Sequence, residues 1–398
     1  MPVIFFSFHG KDIPISLGNE VLTMGIRLGR QTVMLSTPPA VIGYAGVVGQ
    51  KEGEGPLKDC FDYISDDSYF GEKSWEKAES HMIKQCFQIA CGKAELAPEN
   101  LDYIFSGDLL NQCVSSAFAM KDCKAPYMGV YGACSTMAES LGLAAMVIDG
   151  GFAAKACALT GSHFCSAERQ FRFPLEYGGQ RTPTAQWTVT GAGAVILAAG
   201  GQGPKITHVT TGMIVDAGIK DANSMGSAMA PAAYETLKAH FTETGRSPNY
   251  YDAIFTGDLG AQGHDILQAL FRADGVELDA RYMDCGVLMY DLNTQNVGCG
   301  GSGCGCCASV LGGHILEAMN KGVWQRVLVA ATGAQRVKEI PVGLLKNFGA
   351  VRETLKKVPE QDQLVLKKVF RTLAQAGGSN LDALLGTSES GESPTIGQ

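Results

Sequence analysis

Cys134 is the residue whose type and position offer the clearest chemistry. It stands in the run Gly132-Ala133-Cys134-Ser135, and Thr136 with Glu139 three residues later forms a capping-box pattern that predicts a helix start. A thiol there meets the positive end of the helix dipole, which favours the thiolate. Free N–H groups at a helix start also bind anions, and Ser135 adds a hydroxyl donor. Cys134 and Ser135 are therefore a candidate ligand-contact pair, with an acyl nucleophile or inert packing at Cys134 as alternatives.

Two aspartates, Asp108 and Asp258, follow similar apolar runs. The segment from Tyr103 to Leu109 matches the segment from Ala253 to Leu259, and each contains Gly-Asp after a strand-like stretch. One interpretation is that both carboxylates line a pocket or help to hold a cation there. The other is that each caps the following helix or fixes its loop.

Further candidate ligand contacts lie in two other segments. Arg169 opens a loop punctuated by Gly and Pro that also holds Arg172 and Arg181, and an arginine fork suits a dicarboxylate. The alternative is that these arginines hold the loop in place or contact a partner subunit. Met225 and Ser227 begin a run rich in Met and Ala that predicts a pocket wall, or else only core packing.

The sequence predicts no metal and no cofactor. Cys299, Cys304, Cys306 and Cys307 are close together, but their spacing matches no familiar zinc or iron–sulfur pattern. Gly191-Ala192-Gly193 lacks the third glycine and the acidic residue of a dinucleotide fingerprint, so it predicts a strand.

A second pair of similar segments indicates an internal duplication. Each begins with a Gly/Cys/Ser turn, continues as a helix-like run that ends in glycine, and closes with a strand; they extend from residue 132 to 161 and from 302 to 333. We therefore predict two pseudo-symmetric copies of one βαβ-rich unit. The boundaries drawn are an extension over 1–28, a first half over 29–200, a second half over 201–334, and an atypical segment over 335–398 that is helical and then a polar tail.

Composition indicates a large α/β core. Of 398 residues, 45% are hydrophobic, 18% are charged and 50 are glycine. A net charge of −8 without a basic aromatic patch argues against nucleic-acid binding. Thirteen cysteines without a recognisable signal peptide predict a reducing compartment, and the absence of a long apolar stretch predicts a soluble chain without a transmembrane segment.

Motifs spread along the chain resemble those of one family. They are Gln31-Thr32-Val33, Gly49-Gln50-Lys51-Glu52-Gly53, Gly107-Asp108-Leu109-Leu110-Asn111-Gln112, Gly132-Ala133-Cys134-Ser135-Thr136, Ala167-Glu168-Arg169-Gln170, Met225-Gly226-Ser227-Ala228-Met229 and Gly300-Gly301-Ser302-Gly303-Cys304. Over about Gly29 to Ala334 the chain is similar to the stage V sporulation protein AD (SpoVAD) family of the thiolase-like superfamily. The family's closing segment is missing or displaced after Ala334, which leaves the last strand of the second sheet unassigned.

The resemblance implies a fold and a function. The fold is α/β with five layers, α-β-α-β-α, built from two pseudo-symmetric repeats of a mixed five-stranded sheet. The implied function is binding of dipicolinic acid, with or without calcium, during its uptake into the forespore. The implied partners are the other stage V A membrane proteins and a second copy in a homodimer. The implied location is the forespore or spore, peripheral at the inner membrane.

The resemblance also places Cys134 where thiolases and condensing enzymes carry their nucleophile. Those enzymes add His, Asn or a second Cys from the second half, whereas the corresponding segments here contain Gly257-Asp258 and Gly300-Gly301-Ser302-Gly303. His163 and His314 are possible neighbours of Cys134, and His264 is expected on the following helix. We therefore predict a non-catalytic thiolase homologue; the alternative is an acyl-CoA thiolase or ketoacyl synthase that uses Cys134.

Overall fold

The computed structural model describes residues 4–9, 25–171, 181–219, 221 and 223–334, with the backbone alone for 4–9 and 171. The strands are β1 (Ile4–His9), β2 (Ile26–Arg27), β3 (Thr32–Met34), β4 (Ala40–Gly49), β5 (Tyr63–Ser65), β6 (Tyr103–Gly107), β7 (Tyr127–Gly129), β8 (Lys155–Ser162), β9 (Trp187–Thr188), β10 (Gly191–Ala198), β11 (Lys205–Thr211), β12 (Ala253–Thr256), β13 (Tyr282–Asp284), β14 (Gly301–Ser302) and β15 (Arg326–Ala331). The helices are α1 (Gln50–Gly53), α2 (Trp75–Lys93), α3 (Val114–Met120), α4 (Thr136–Asp149), α5 (Phe164–Phe171), α6 (Met225–Thr244), α7 (Gly260–Ala273), α8 (Cys285–Met289), α9 (Cys304–Val310) and α10 (Leu316–Asn320). A π-helical turn, Leu311–Ile315, makes α9 and α10 continuous.

Ten of the strands form two five-stranded arrays with the same order and directions, and a single residue pair between β11 and β4 joins the arrays. The first array runs β7-β6-β8-β10-β4, and the second runs β13-β12-β15-β1-β11. In each array the first three strands are parallel, and the fourth is antiparallel to both of its neighbours. The predicted pair of mixed five-stranded sheets is therefore confirmed.

Side chains on opposite faces of the strands belong to different cores. On β8, Ala156 and Ala158 join the cluster that contains α4 and α9, whereas Cys157 and Leu159 join the cluster beneath α2 and α3. This alternation is the two-residue period of a strand. A third cluster joins α6 and α7 to β12 and β15. The layers are thus α2/α3, first sheet, α4/α9, second sheet and α6/α7, as the five-layer prediction required.

The middle layer is closely packed because its helices are made of small and apolar residues. Leu141, Ala144 and Ala145 of α4 are fully buried. On β10, a Cβ atom added to Gly193 would lie 2.0 Å from the carbonyl oxygen of Ala308 in α9. The absence of a side chain at Gly193 lets the helix backbone rest directly on the sheet.

Segments that precede β4 pair with the second half of the chain. β1, from the stretch predicted as an extension, lies between β15 and β11, while β3 pairs with both β11 and β2. The segment predicted as atypical, 335–398, lies outside the described residues. Within the described ranges, no helix has both the length and the apolar composition needed to cross a membrane.

Candidate functional site

Cys134 lies in a tight turn at the start of the buried helix α4. Residues Ala133–Ser135 form a 3₁₀ turn, with Ala133 in the left-handed region at φ 52°. The hydroxyl of Thr136 accepts the Gly132 N–H (3.0 Å) and donates to the Ala133 carbonyl (2.7 Å). These bonds hold the turn and place the Cys134 thiol at the amino end of α4.

The predicted capping box at Thr136 is wrong in its details. The helix does begin at Thr136, but its N-cap is Ser135, which makes no side-chain cap bond. Instead the Ser135 hydroxyl bonds to the Gly132 carbonyl and to Oε1 of Glu139, each at 2.8 Å. The Ser135 hydroxyl, predicted as a ligand donor, is thus already engaged within the turn.

A carboxyl group from the second half, rather than an imidazole, faces the Cys134 thiol. Cys134 exposes only 6% of its surface, and Asp258 is fully buried beside it. Burial first, and then the negative charge of Asp258, raise the pKa of the Cys134 thiol well above its ordinary value. The thiol is therefore held in its protonated, weakly nucleophilic form.

The β12–α7 and β14–α9 loops hold the Asp258 carboxyl. Its Oδ2 accepts the Gly303 N–H (2.8 Å) at the start of α9 and the Ser302 hydroxyl (3.3 Å). Burial raises the pKa of Asp258 to about 7 despite these bonds. The folded chain therefore favours the neutral form of this carboxyl more than an exposed aspartate position would.

The two aspartates predicted as a pair have different surroundings. Asp108 accepts the Leu110 N–H (2.8 Å) and both the N–H and hydroxyl of Ser116 (2.7 Å each), so it fixes the β6–α3 loop. In the second half the corresponding loop is fixed by Asp284, which accepts the N–H groups of Leu259 (2.8 Å) and Gly260 (3.0 Å). Because Asp284 holds this loop in the second half, Asp258 does not serve that purpose, and its carboxyl group faces Cys134.

Cys304, at the start of α9, joins the carboxyls of both halves into one buried neighbourhood. Cys304 packs with Leu109 and Ala133, the chain neighbours of Asp108 and Cys134, and its pKa is raised by burial first and then by electrostatic interaction with Cys134, Asp108, Glu79 and Asp258. Glu79, from α2, bonds to the Ser166 hydroxyl at 2.6 Å, and burial followed by the charge of Asp108 raises its pKa well above the usual range. The candidate site is therefore a closed, acidic and thiol-containing centre.

The remaining cysteines of the predicted cluster point to different places. Cys299 donates to the Thr184 carbonyl (3.1 Å), and Cys304 donates to the Gly161 carbonyl (3.2 Å). Cys306 and Cys307 pack in the middle core. Among the described residues, no group of three or more His, Cys, Asp and Glu is arranged to hold a metal ion.

The histidines considered as partners for Cys134 are engaged elsewhere. His163 lies 2.7 Å from the Ser68 carbonyl and accepts the Cys165 N–H (3.1 Å). His264, on α7 as expected, stacks on Tyr282 at 4.5 Å between ring centroids. His314 lies 3.5 Å from the Cys60 sulfur.

The other predicted ligand contacts lie apart from the thiol. Arg169 is about half exposed, pairs with Glu76 and lies over the Trp75 ring. Met225 packs against the outer core of α6 and α7, and the Ser227 hydroxyl bonds to that of Ser224 at 2.6 Å. Of the seven predicted contacts, the structure brings Cys134, Asp258 and Asp108 into one neighbourhood, with Ser135 adjacent in sequence.

Gln186 is a site residue that the sequence did not reveal. Its side-chain N–H₂ group donates to the carbonyls of Asp258 and Gly301, each at 2.8 Å, and so joins the two loops that carry Asp258 and Ser302. Next to it, Trp187 of β9 pairs with Gly301 of β14. A lone Gln in an irregular segment carries no local pattern, so only the three-dimensional contacts identify it.

The five-layer architecture, with a cysteine at the start of the first buried helix, defines a thiolase-like fold. Solved structures with this fold include OleA from Xanthomonas campestris bound with cerulenin. One variant is 13% identical, with a TM-score of 0.51, and the match covers 74% of this chain and 93% of that chain. A second is 12% identical, with a TM-score of 0.50 and the same coverage. At these identities the likeness shows the fold alone.

The sequence comparisons define the family. The family described as Stage V sporulation protein AD (SpoVAD) matches residues 29–339. Stage V sporulation protein AD of Bacillus subtilis (strain 168) is 42% identical over 306 residues, which are 77% of this chain and 90% of that protein. The chain belongs to the SpoVAD family of sporulation proteins.

Proposed function

We propose that this chain is a non-catalytic thiolase homologue that binds dipicolinic acid and takes part in its uptake into the forespore. It would act peripherally at the inner membrane together with the other stage V A membrane proteins. One observation carries the non-catalytic part of the proposal: Asp258 stands beside Cys134. Burial, and then this carboxyl group, keep the thiol protonated, whereas acyl transfer needs the thiolate and groups that stabilise an oxyanion.

The start of α4 supports anion binding at the same place. The amino ends of α4 and α9 meet around Cys134, because Gly303 at the start of α9 donates its N–H to Asp258, the neighbour of that thiol. The positive dipole ends of two helices therefore favour negative charge at this place.

The buried carboxyls favour the calcium chelate over the free dianion. When ionised, Glu79, Asp108 and Asp258 repel a bare dicarboxylate, whereas a chelated Ca²⁺ brings the positive charge that favours their ionised forms. Calcium takes about six to eight ligands, of which dipicolinate supplies its two carboxylates and ring nitrogen. About three to five positions then remain for water and protein oxygens, such as Oδ1 of Asp258, which accepts no bond from a described N–H or O–H group.

Isothermal titration calorimetry of dipicolinate, with and without equimolar Ca²⁺, tests this proposal. We expect saturable binding that calcium strengthens, and we expect the Cys134→Ala/Ser135→Ala double variant to bind at least about tenfold more weakly while it stays folded. The matched control is Cys157→Ala, which removes an equally buried thiol from β8. Absence of binding to the parent chain in both titrations would refute the proposal, and equal affinity in the double variant would move the site elsewhere.

We also propose that two copies associate through the edge of the first sheet. β7 pairs with β6 on one side; Met128 within β7 is 51% exposed, and Phe118 of α3, which contacts β7, is 62% exposed. Pairing of two β7 strands would cover both side chains and extend the sheet. Light scattering should give the mass of two chains for the parent and for the control Val323→Glu, and of one chain for Met128→Glu; a monomeric parent would contradict the proposal.

A further inference from the structure

The fourth position of the second sheet is filled from a distant part of the chain. In the first sheet this position belongs to β10, which follows its neighbour β8 within the same half. In the second sheet the same position belongs to β1, which precedes the whole first half. No short connection therefore ties β1 to β15 or to β11.

The backbone of β1 is paired along its whole length on both sides. Its residues Ile4 to His9 pair with Ala331 to Arg326 of β15 in an unbroken antiparallel register. The same residues pair with Thr211 to Lys205 of β11, with one irregularity between Ser7 and Phe8. A segment so placed is held by two full ladders of backbone hydrogen bonds.

The two neighbours form a slot that has to be filled. Residues Val327 to Ala331 of β15, and Ile206 and Val209 of β11, are almost completely buried. Without a strand between them, both ladders would be left with unpaired N–H and C=O groups beside apolar cores. The slot therefore has the properties of a β-augmentation site, which recognises an extended peptide through its backbone.

We propose that the slot between β11 and β15 is a strand-binding site. Its resident occupant is the segment 4–9, and it also accepts the same segment when this is supplied as a separate peptide. The ligand class is an extended, mainly apolar peptide of about six residues, and Ile-Phe-Phe-Ser-Phe-His has the β-branched and aromatic types that favour strands. The resident strand normally excludes a separate peptide from the slot, because its covalent attachment gives it a high effective concentration. This inference does not depend on dipicolinate binding.

The test weakens the resident strand in the full-length chain and then supplies the segment in trans. Phe6→Pro removes a backbone donor from a strand that is paired on both sides, so we expect the melting temperature to fall by about 6 °C or more. A fluorescein-labelled peptide of residues 1–10 should then bind saturably by anisotropy and restore most of the lost melting temperature. The parent chain, with its slot filled, should bind at least about tenfold more weakly.

A peptide that carries the same Phe6→Pro change is the matched control and should neither bind nor stabilise. If the Phe6→Pro chain does not fold, Phe6→Gly weakens the strand while keeping its N–H group, and the same titration applies. An unchanged melting temperature in both variants would show that the segment does not fill the slot. Failure of the parent peptide to bind the weakened chain, or equal binding to the parent chain, would also overturn the proposal.

Discussion

Replacing Asp258 by asparagine should stabilise the protein at alkaline pH and should have a much smaller effect in mild acid. The substitution keeps the shape of the side chain and an oxygen that accepts the Gly303 N–H, and it removes only the titratable charge. Burial raises the pKa of Asp258 from 3.8 to about 7 in the folded chain. The folded state therefore favours the neutral carboxyl more than the unfolded state does.

The sign and size of the effect follow from this difference in pKa. The contribution of the neutral carboxyl is complete below pH 3.8, and it is lost as the pH rises through about 7. A difference of about three units corresponds to about 4 kcal/mol, at about 1.4 kcal/mol for each unit. Between pH 5 and pH 8 the Asp258→Asn variant should therefore gain about 3 kcal/mol in its free energy of unfolding relative to the parent chain.

Urea unfolding followed by circular dichroism at pH 5, 6, 7 and 8 measures this gain. The control Asp122→Asn removes a carboxylate that is 65% exposed beside Lys84, and its stability difference from the parent should stay nearly constant. A constant difference for Asp258→Asn across the same range would refute the reasoning, because the carboxyl beside Cys134 would then have no raised pKa.

The remaining predictions concern other buried groups. Burial lowers the pKa of His240 from 6.5 to about 3, so the stability that its neutral form provides is complete above pH 6.5 and is lost as the pH falls toward 3. The stability deficit of His240→Gln should therefore shrink by about 3 kcal/mol between pH 7.5 and 4.5 in urea unfolding. Gly193→Ala, which drives a methyl group into the α9 backbone, should cost about 3 kcal/mol. Gly92→Ala lies in the last turn of α2, where an added Cβ atom would have no neighbour within 4 Å, and it should stabilise by about 0.5 kcal/mol; thermal melts compare the two variants. Leu141→Ala in α4 should cost about 2–5 kcal/mol by the same assay, and a smaller loss would show that the middle layer is not tightly packed.

Local sequence patterns predicted most of the architecture because they repeat. The matching Gly-Asp segments placed β6 and β12 at equivalent positions, and the small-residue helix after Ser135 became the buried α4. The position of β1 could not be predicted in this way. Its partners β11 and β15 are remote in sequence, and a short apolar run carries no information about which distant strands it will join.

The site was predicted in part, for a related reason. Cys134 and Asp258 were both candidates, but their proximity depends on how the two halves pack together. Asp108 and Asp258 have different roles because, in the second half, Asp284 holds the loop after β12 through hydrogen bonds. No distinctive sequence motif marks Asp284 for this role. Ser135 was expected to contact a ligand, but the Ser135 hydroxyl instead donates a hydrogen bond to the carboxyl group of Glu139.

Exposure of the full-length chain to a labelled acyl-CoA at pH 8, followed by intact mass measurement, distinguishes a non-catalytic binding protein from an acyltransferase. Because burial and Asp258 keep the Cys134 thiol protonated, we expect the mass of the chain to stay unchanged. A stable acyl adduct mapped to Cys134 would contradict this expectation and would make this chain an acyltransferase.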